Sequence, residues 1–340
     1  IVYDDELTKA KKIISETKKA MVDAIIAWDM SVVNEAIKQG IDVHLSTQAS
    51  VSNFESLKYY DSIGVKSVDL ARECTLQQIK EIKQKIKKEK LDIKIETFIH
   101  GAMCVSVSGR CFISQFLFCK SANRGDCLQP CRREYDIIDK ETADTLTIGN
   151  HYVLSPKDLC TITFIDKLIE AGIDSFKIEG RVKPPEYVKV VVSAYREAID
   201  AYFKGRYNKE IASKLEEKLK TVFNRGFSKG FFMGMPINGF TDSYGGKATL
   251  QKDYAGFVKN YYNKVCAAEI KIESGKISVG DLIMIQGPTT GVIDEKITSM
   301  QINHRGIKTA LKGKSVAIKL KNKVRVNDKV FIIHEKNSSS

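Results

Sequence analysis

Apolar residues recur along the first half of the chain in two alternating periods. Between Asp4 and Ala20, Leu7, Ala10, Ile13 and Ile14 fall at helical spacing among Lys and Glu. The run Ala24-Ile-Ile-Ala-Trp28 that follows predicts a buried strand ending in Asp29. The unit then repeats. Helix Ser31–Gln39 precedes strand Val43–Leu45 and the polar end Ser46-Thr-Gln48; helix Asn53–Ile63 precedes strand Ser67–Ala71 and the polar end Arg72-Glu73. Helix Thr75–Glu89 leads to strand Ile93–Ile99, ending at His100-Gly101, and after an irregular insertion helix Asp158–Ala171 leads to strand Ser175–Glu179, ending at Gly180-Arg181. Gly40, Gly64 and Gly172 stand where such helices stop.

Parallel βα units of this regularity predict an α/β fold, a (β/α)8 TIM-type barrel, with a doubly wound open sheet as runner-up. Five strands are visible where eight are needed. Ile1-Val-Tyr3 then reads as the tail of a further unit, and the barrel as incomplete at its N-terminus. Pro184-Pro185 opens a helix from Glu186 to about Lys204, and a second runs from Glu210 to Phe223. Past a Gly-rich stretch the period shortens, with strands expected at Val265–Ile272, Leu282–Gln286, Gly291–Met300, Gly306–Leu311, Ser315–Leu320 and Asp328–Ile333. The expected organisation is a catalytic domain over 1–235 with a Cys-rich insertion at 101–157, a linker over 236–253, and a small basic β-barrel over 254–336.

Charge sharpens the reading of that last domain. Residues 251–340 hold 16 Lys and Arg against 8 Asp and Glu, two-thirds of the formal net charge of +12. Such an appendage points to a polyanion such as RNA, the plain alternative being a solvated basic face. The absence of a long apolar run or an apolar leader segment predicts a cytoplasmic protein without a membrane partner.

Five of the eight cysteines lie between Cys104 and Cys131. In a reducing compartment that density favours a metal over disulfides. Cys104-x6-Cys111, Cys127 and Cys131 suit an iron–sulfur cluster better than zinc, whose sites favour tight CxxC pairs. Cys74, Cys119 and Cys266 read as small hydrophobes. Polar residues at strand ends converge on one mouth of a barrel: Asp29, Gln48, Glu73, His100 and Arg181, with Glu96, Lys177 and Glu179 close behind. Lys177 and Glu179 share a strand face, as an ion pair filling the interior or as substrate contacts.

Glu96-x-Phe-x-His-Gly-Ala-Met-Cys-x6-Cys111 resembles the defining motif of the peptidase U32, or collagenase-like peptidase, family. Ser46-Thr-Gln48, Ala71-Arg-Glu73, Arg124-Gly-x-Cys127-x3-Cys131-Arg132, Ser155-x-Lys-Asp-Leu-Cys160 and Lys177-Ile-Glu-Gly-Arg181 extend the likeness. The basic domain resembles the C-terminal barrel of members that modify tRNA. The resemblance implies two chemistries: proteolysis, metal-dependent or not, and oxygen-independent RNA hydroxylation on a [4Fe–4S] cluster, with zinc as the other metal. It implies Cys104, Cys111, Cys127 and Cys160 as ligands, with Cys131 competing for the third place.

A peptidase needs an activated nucleophile or metal-bound water, and neither HExxH nor GxSxG occurs. Of the two chemistries that the resemblance implies, hydroxylation is therefore the expected function. The resemblance implies the tRNA wobble uridine as substrate, 5-hydroxyuridine as product and prephenate or a similar carboxylate as donor. Glu96, His100 and Glu179 would be catalytic; Gln48, Glu73, Lys177 and Arg181 would bind substrate. A U32-type peptidase and a non-catalytic RNA-binding or assembly subunit that needs a protein partner are the alternatives.

Overall fold

In the computed structural model, residues 1–336 are described apart from Glu134, Asp136, Ile137, Asp139, 144–153, 237–238 and 242–245. The chain packs as two compact units: Ile1–Arg181 with Ala194–Glu216 and Asn224–Lys247, and Val182–Ser193 with Glu217–Phe223 and Ala248–Ser340.

The first unit follows the expected rhythm, α1 (Leu7–Lys19), β1 (Ala24–Ala27), α2 (Met30–Lys38), β2 (Asp42–Leu45), α3 (Phe54–Ser62), β3 (Ser67–Asp69), α4 (Leu76–Glu89) and β4 (Lys94–Gly101). Local chemistry sets the helix starts. Asp29 caps α2 through Ser31 N, Asn53 caps α3 through Ser56 N, and Thr75 and Gln78 form a reciprocal capping box on α4. Ile79, Ile82 and Ile86 then turn one face of α4 into the core. Gly64, at φ +98°, ends α3 in the left-handed region that a side chain disfavours.

Then come α5 (Ile113–Phe118), β5 (Asp158–Cys160), α6 (Ile165–Glu170), β6 (Ser175–Ile178), α7 (Pro185–Phe203), α8 (Lys209–Lys220) and β7 (Phe227–Ser228). The expected helix from Asp158 fails in its first half. Asp158, Leu159 and Cys160 are all buried and form β5, antiparallel to the end of β4 and parallel to β7. A 3-10 turn at Ile162–Phe164 follows and the α-helix starts at Ile165, because the ladder already takes the backbone groups of Asp158–Cys160.

The parallel strands run in the order β1-β2-β3-β4-β6, each added beside its predecessor in sequence. This order lacks the reversal of a doubly wound sheet. Among the described residues β1 pairs only with β2 and β6 only with β4, so the parallel sheet is an open arc and not a closed eight-stranded barrel. Ile1–Tyr3 form no strand.

The second unit is antiparallel. Its strands are β8 (Leu250–Tyr262), β9 (Ala267–Ile272), β10 (Lys276–Ser278), β11 (Leu282–Gly287), β12 (Gly291–Lys296), β13 (Met300–Ile302), β14 (Arg305–Ile307), β15 (Thr309–Leu311), β16 (Ser315–Lys319) and β17 (Lys329–Glu335). Eight of them form one sheet, β12-β11-β17-β8-β9-β16-β13-β14, and β10 pairs with β15. Val258, Ile270, Ile272, Ile283, Ile285, Ile318 and Val330 fill its core. β8 begins at Leu250, inside the segment expected as linker, and its Lys, Asp and Asn residues hide it from a reading by hydrophobic period. A Cβ on Gly256 would sit 1.9 Å from Lys271 O, so only glycine lets β8 and β9 approach there.

Candidate functional site

β4 is the axis of the candidate site. Glu96 and Phe98 project to one face of it, opposite Ser175 and Lys177 of β6. Glu96 accepts from Ser175 Oγ at 2.7 Å and from Lys177 Nζ at 2.9 Å. Lys177 Nζ also lies 3.2 Å from Asp69 Oδ2 at the end of β3, and 5.3 Å from the Phe98 ring centre. Asp69 is almost wholly buried, and its Oδ1 has no hydrogen-bond partner. Burial pushes its carboxyl up to about 6 against the pull of Lys177, whereas the hydrogen bonds from Lys177 and Ser175 hold Glu96 below the usual range despite its own burial.

Arg72 closes the other side of Phe98. Its guanidinium stacks 4.0 Å from the ring centre and donates to Ala102 O at 2.7 Å, while its Nε is buried without a partner. Burial lowers its affinity for the proton, and the charges of Asp69, Cys104, Glu179 and Glu73 oppose that shift. Glu179 brackets the same peptide, accepting from Ala102 N at 3.3 Å and from Arg181 N at 2.7 Å. Arg181 donates to Gly125 O, within the Cys-rich insertion. Gln48 packs on that insertion as well: a Cβ on Gly109 would meet its Nε2 at 2.9 Å, and Arg110 donates to its carbonyl at 2.8 Å. Glu73 is exposed, and its neighbour Arg72 is the side chain that turns inward.

His100 does not join Glu96. The register between β4 and β6 slips by one residue after Phe98, so His100 stands opposite Ile178 on the other face. There it is buried edge-on to Tyr195 and Phe227, with Nδ1 3.3 Å from Tyr195 Oη. That hydroxyl donates to Ile99 O at 2.9 Å and accepts from Thr161 N at 3.0 Å. Cys160, paired with His100 across the β4–β5 ladder, lies 3.8 Å from the same hydroxyl. Burial pushes the Cys160 thiol up to about 12, against hydrogen bonds from the Ile162 backbone and Tyr195 and together with the charges of Glu216 and Asp158.

The insertion cysteines are placed differently. Burial raises the Cys131 thiol, Arg132 draws it down, and Cys104, Cys127 and Cys111 raise it further, so each of these three stands within electrostatic reach of Cys131. Arg132 threads among them, donating to Met103 O, to Pro156 O at 2.9 Å and to Ser155 Oγ at 3.2 Å. Cys127 Sγ accepts from Gln129 N at 3.4 Å. Among the described residues no three His, Cys, Asp or Glu side chains stand close enough as they are to hold a metal ion. The donor chemistry nevertheless fits a thiolate-bound cluster: four thiols, a backbone N–H on one sulfur, and the Arg72 and Arg132 charges beside Cys104.

Residues 1–240, which contain all of these groups, match the model of peptidase family U32. The chain belongs to that family. As a U32 member it is 42% identical over 337 residues to a collagenase of Porphyromonas gingivalis, spanning 97% of this chain and 81% of the relative. It is 40% identical over 250 residues to tRNA hydroxylation protein P1 of Bacillus subtilis, spanning 71% of this chain and 58% of the relative. It is also 40% identical over 206 residues to the 23S rRNA 5-hydroxycytidine C2501 synthase of Escherichia coli, spanning 61% and 30%. The resemblance carried by the Glu96–Cys111 motif thus extends over the whole U32 region. Among the described residues no helix is long and apolar enough to cross a membrane.

Asp69, Arg72, Arg132 and Tyr195 line the candidate site and were not among the expected site residues, although Arg72 and Arg132 fall within the quoted motifs. Arg72 and Arg132 each adjoin a residue that was, and Asp69 lies two residues before the end of an expected strand. Tyr195 reads as an apolar helix position, and nothing in its local sequence marks it.

Proposed function

We propose that this U32 protein is an RNA-hydroxylating enzyme component acting on the wobble uridine of tRNA, with prephenate or a similar carboxylate as hydroxyl donor. The observation that carries the reading is the gathering of Cys104, Cys111, Cys127 and Cys131 beside the Arg72 and Arg132 guanidiniums. Those four cysteines would hold a [4Fe–4S] cluster, which supplies electron transfer when bound. Relatives named for tRNA and rRNA hydroxylation give the substrate class.

The Asp69–Lys177–Glu96 network offers a cation beside two carboxylates, the larger part of it buried. Lys177 and Arg181 bind and orient the donor's carboxylates, and Glu179 holds the backbone at Ala102 and Arg181 in place. The basic antiparallel unit takes the RNA backbone, so binding weakens steeply with salt. The peptidase reading draws on the name of the Porphyromonas relative. A cysteine nucleophile needs an activated thiol, and burial pushes the thiol of Cys160, the cysteine paired with His100, up to about 12 instead.

Anaerobic reconstitution followed by iron and sulfide analysis tests the first half; zinc, or no metal at all, overturns it. Mass spectrometry of tRNA nucleosides from a deletion strain tests the second. Loss of the wobble 5-hydroxyuridine, restored by the wild-type protein, is the expected result, and an unchanged nucleoside profile refutes it.

A further inference from the structure

The Cys-rich insertion carries an aromatic pair that no interior contact requires. Phe112 is 63% exposed and Phe116 82% exposed. They stand one helical turn apart at the start and middle of α5, with ring centres 6.1 Å apart and planes tilted by 48°. Leu117 and Leu128 extend the apolar surface. The short helix beneath is anchored: Ser114 is buried, and its Oγ accepts from Leu128 N at 3.0 Å. Two large rings are thus presented to solvent on fixed backbone, directly after Cys111.

The surrounding charge decides between occupants. Residues 105–133 contain Arg110, Lys120, Arg124, Arg132 and Arg133 against the single acid Asp126. Arg124 is paired with Glu6 and Arg132 turns inward, which leaves Arg110, Lys120 and Arg133 exposed on the same insertion. Arg133 lies 4.6 Å from the Phe118 ring centre and Arg110 5.6 Å from that of Trp28. Exposed rings among cations match the recognition of unpaired nucleotides, whose bases stack on aromatic faces while cations take the phosphates.

We infer that Phe112 and Phe116 form a stacking platform for unpaired bases of the RNA substrate, with Arg110, Lys120 and Arg133 on the flanking phosphates. The inference rests on the RNA-modifying function proposed above and assigns that function a base-contacting surface next to the loop cysteines. Binding of the full chain to a fluorescent tRNA anticodon stem-loop, and to the same stem closed as a continuous duplex, is measured across a salt series. Phe116→Ala weakens stem-loop binding about tenfold while leaving the slope of log K against log salt unchanged, because a phenyl ring releases no counterion. Phe116→Trp restores affinity, and Lys120→Ala lowers the slope by about one.

Unchanged affinity in Phe112→Ala and Phe116→Ala, or an equal loss on the duplex, overturns the platform and leaves the RNA-modifying function standing. Self-association of the wild-type chain in sedimentation, abolished by Phe116→Ala, identifies the patch as a protein interface and likewise overturns it. A wild-type chain that binds no stem-loop at low salt defeats both readings together.

Discussion

Cys131 and Cys160 lie in the same unit and close to the same strand, yet their surroundings have little in common. Cys131 sits with three other thiols and beside Arg132, in a loop crossed by guanidiniums whose buried Nε atoms have no partner. Cys160 sits with His100, Thr161 and Tyr195 in a pocket whose polar atoms largely satisfy one another, and its thiol is held in the neutral form. Burial raises both thiols, but Cys131 has the Arg132 charge to draw its proton off whereas Cys160 has carboxylates that hold it on. The family resemblance groups Cys160 with the loop cysteines, and strand position groups His100 with Glu96; the register slip places the latter two on opposite faces.

The sharpest break of this comparison is a pair of substitutions. After anaerobic reconstitution, Cys131→Ser is expected to lose most of its iron and the visible absorption that accompanies it, whereas Cys160→Ser keeps iron near the wild-type ratio. The reverse result would move the fourth ligand into the Tyr195 pocket and undo the distinction between the two cysteines.

The same contrast explains what could be read in advance. The βα rhythm was legible because each strand is an apolar run and each helix has an apolar face, and these periods survive folding with little change. Two features were hidden. β5 lies in a stretch that also suits a helix, and only its pairing with β4 and β7 decides the matter. The register slip after Phe98 is a tertiary event, so strict alternation places Glu96 and His100 on one face when the sheet separates them. Charges at strand ends were visible as letters, but the inward turn of Arg72 depends on Phe98 of the neighbouring strand β4, a contact that no local pattern announces.

On the charged face, Asp69→Asn gives the second effect. The native carboxyl titrates at about 6 and the unfolded one near 3.8, so between these values the folded protein holds a proton that the unfolded chain has lost. This group's contribution to stability is therefore greatest below pH 4 and declines as the pH rises through 6. The full decline is about 3 kcal/mol, at roughly 1.4 kcal/mol per pH unit. The amide variant lacks the decline, and its stability relative to wild type improves by that amount from pH 4 to 7. The lone Trp28 lies in this unit, so its fluorescence during urea unfolding at several pH values reports the difference. A flat difference would mean that Lys177 outweighs burial and Asp69 is ionised throughout.

On the sealed face the expected effect is smaller, because the polar groups there are partly redundant. Tyr195→Phe removes the hydroxyl that takes the Thr161 N–H, but that N–H also lies 3.2 Å from Ile99 O and keeps an acceptor. Ile99 O in turn loses one of two donors, and His100 Nδ1 loses the oxygen at 3.3 Å. A single incompletely satisfied buried group costs about 1–3 kcal/mol, so the substitution should destabilise the unit by about 2 kcal/mol. Cluster content should stay unchanged, since no loop cysteine is among the partners of this hydroxyl that are described above. Trp28-monitored unfolding and iron analysis of one preparation read both quantities. Loss of iron in Tyr195→Phe without loss of stability would show that the pocket around Cys160 serves the metal, and the two cysteines would then belong to one site.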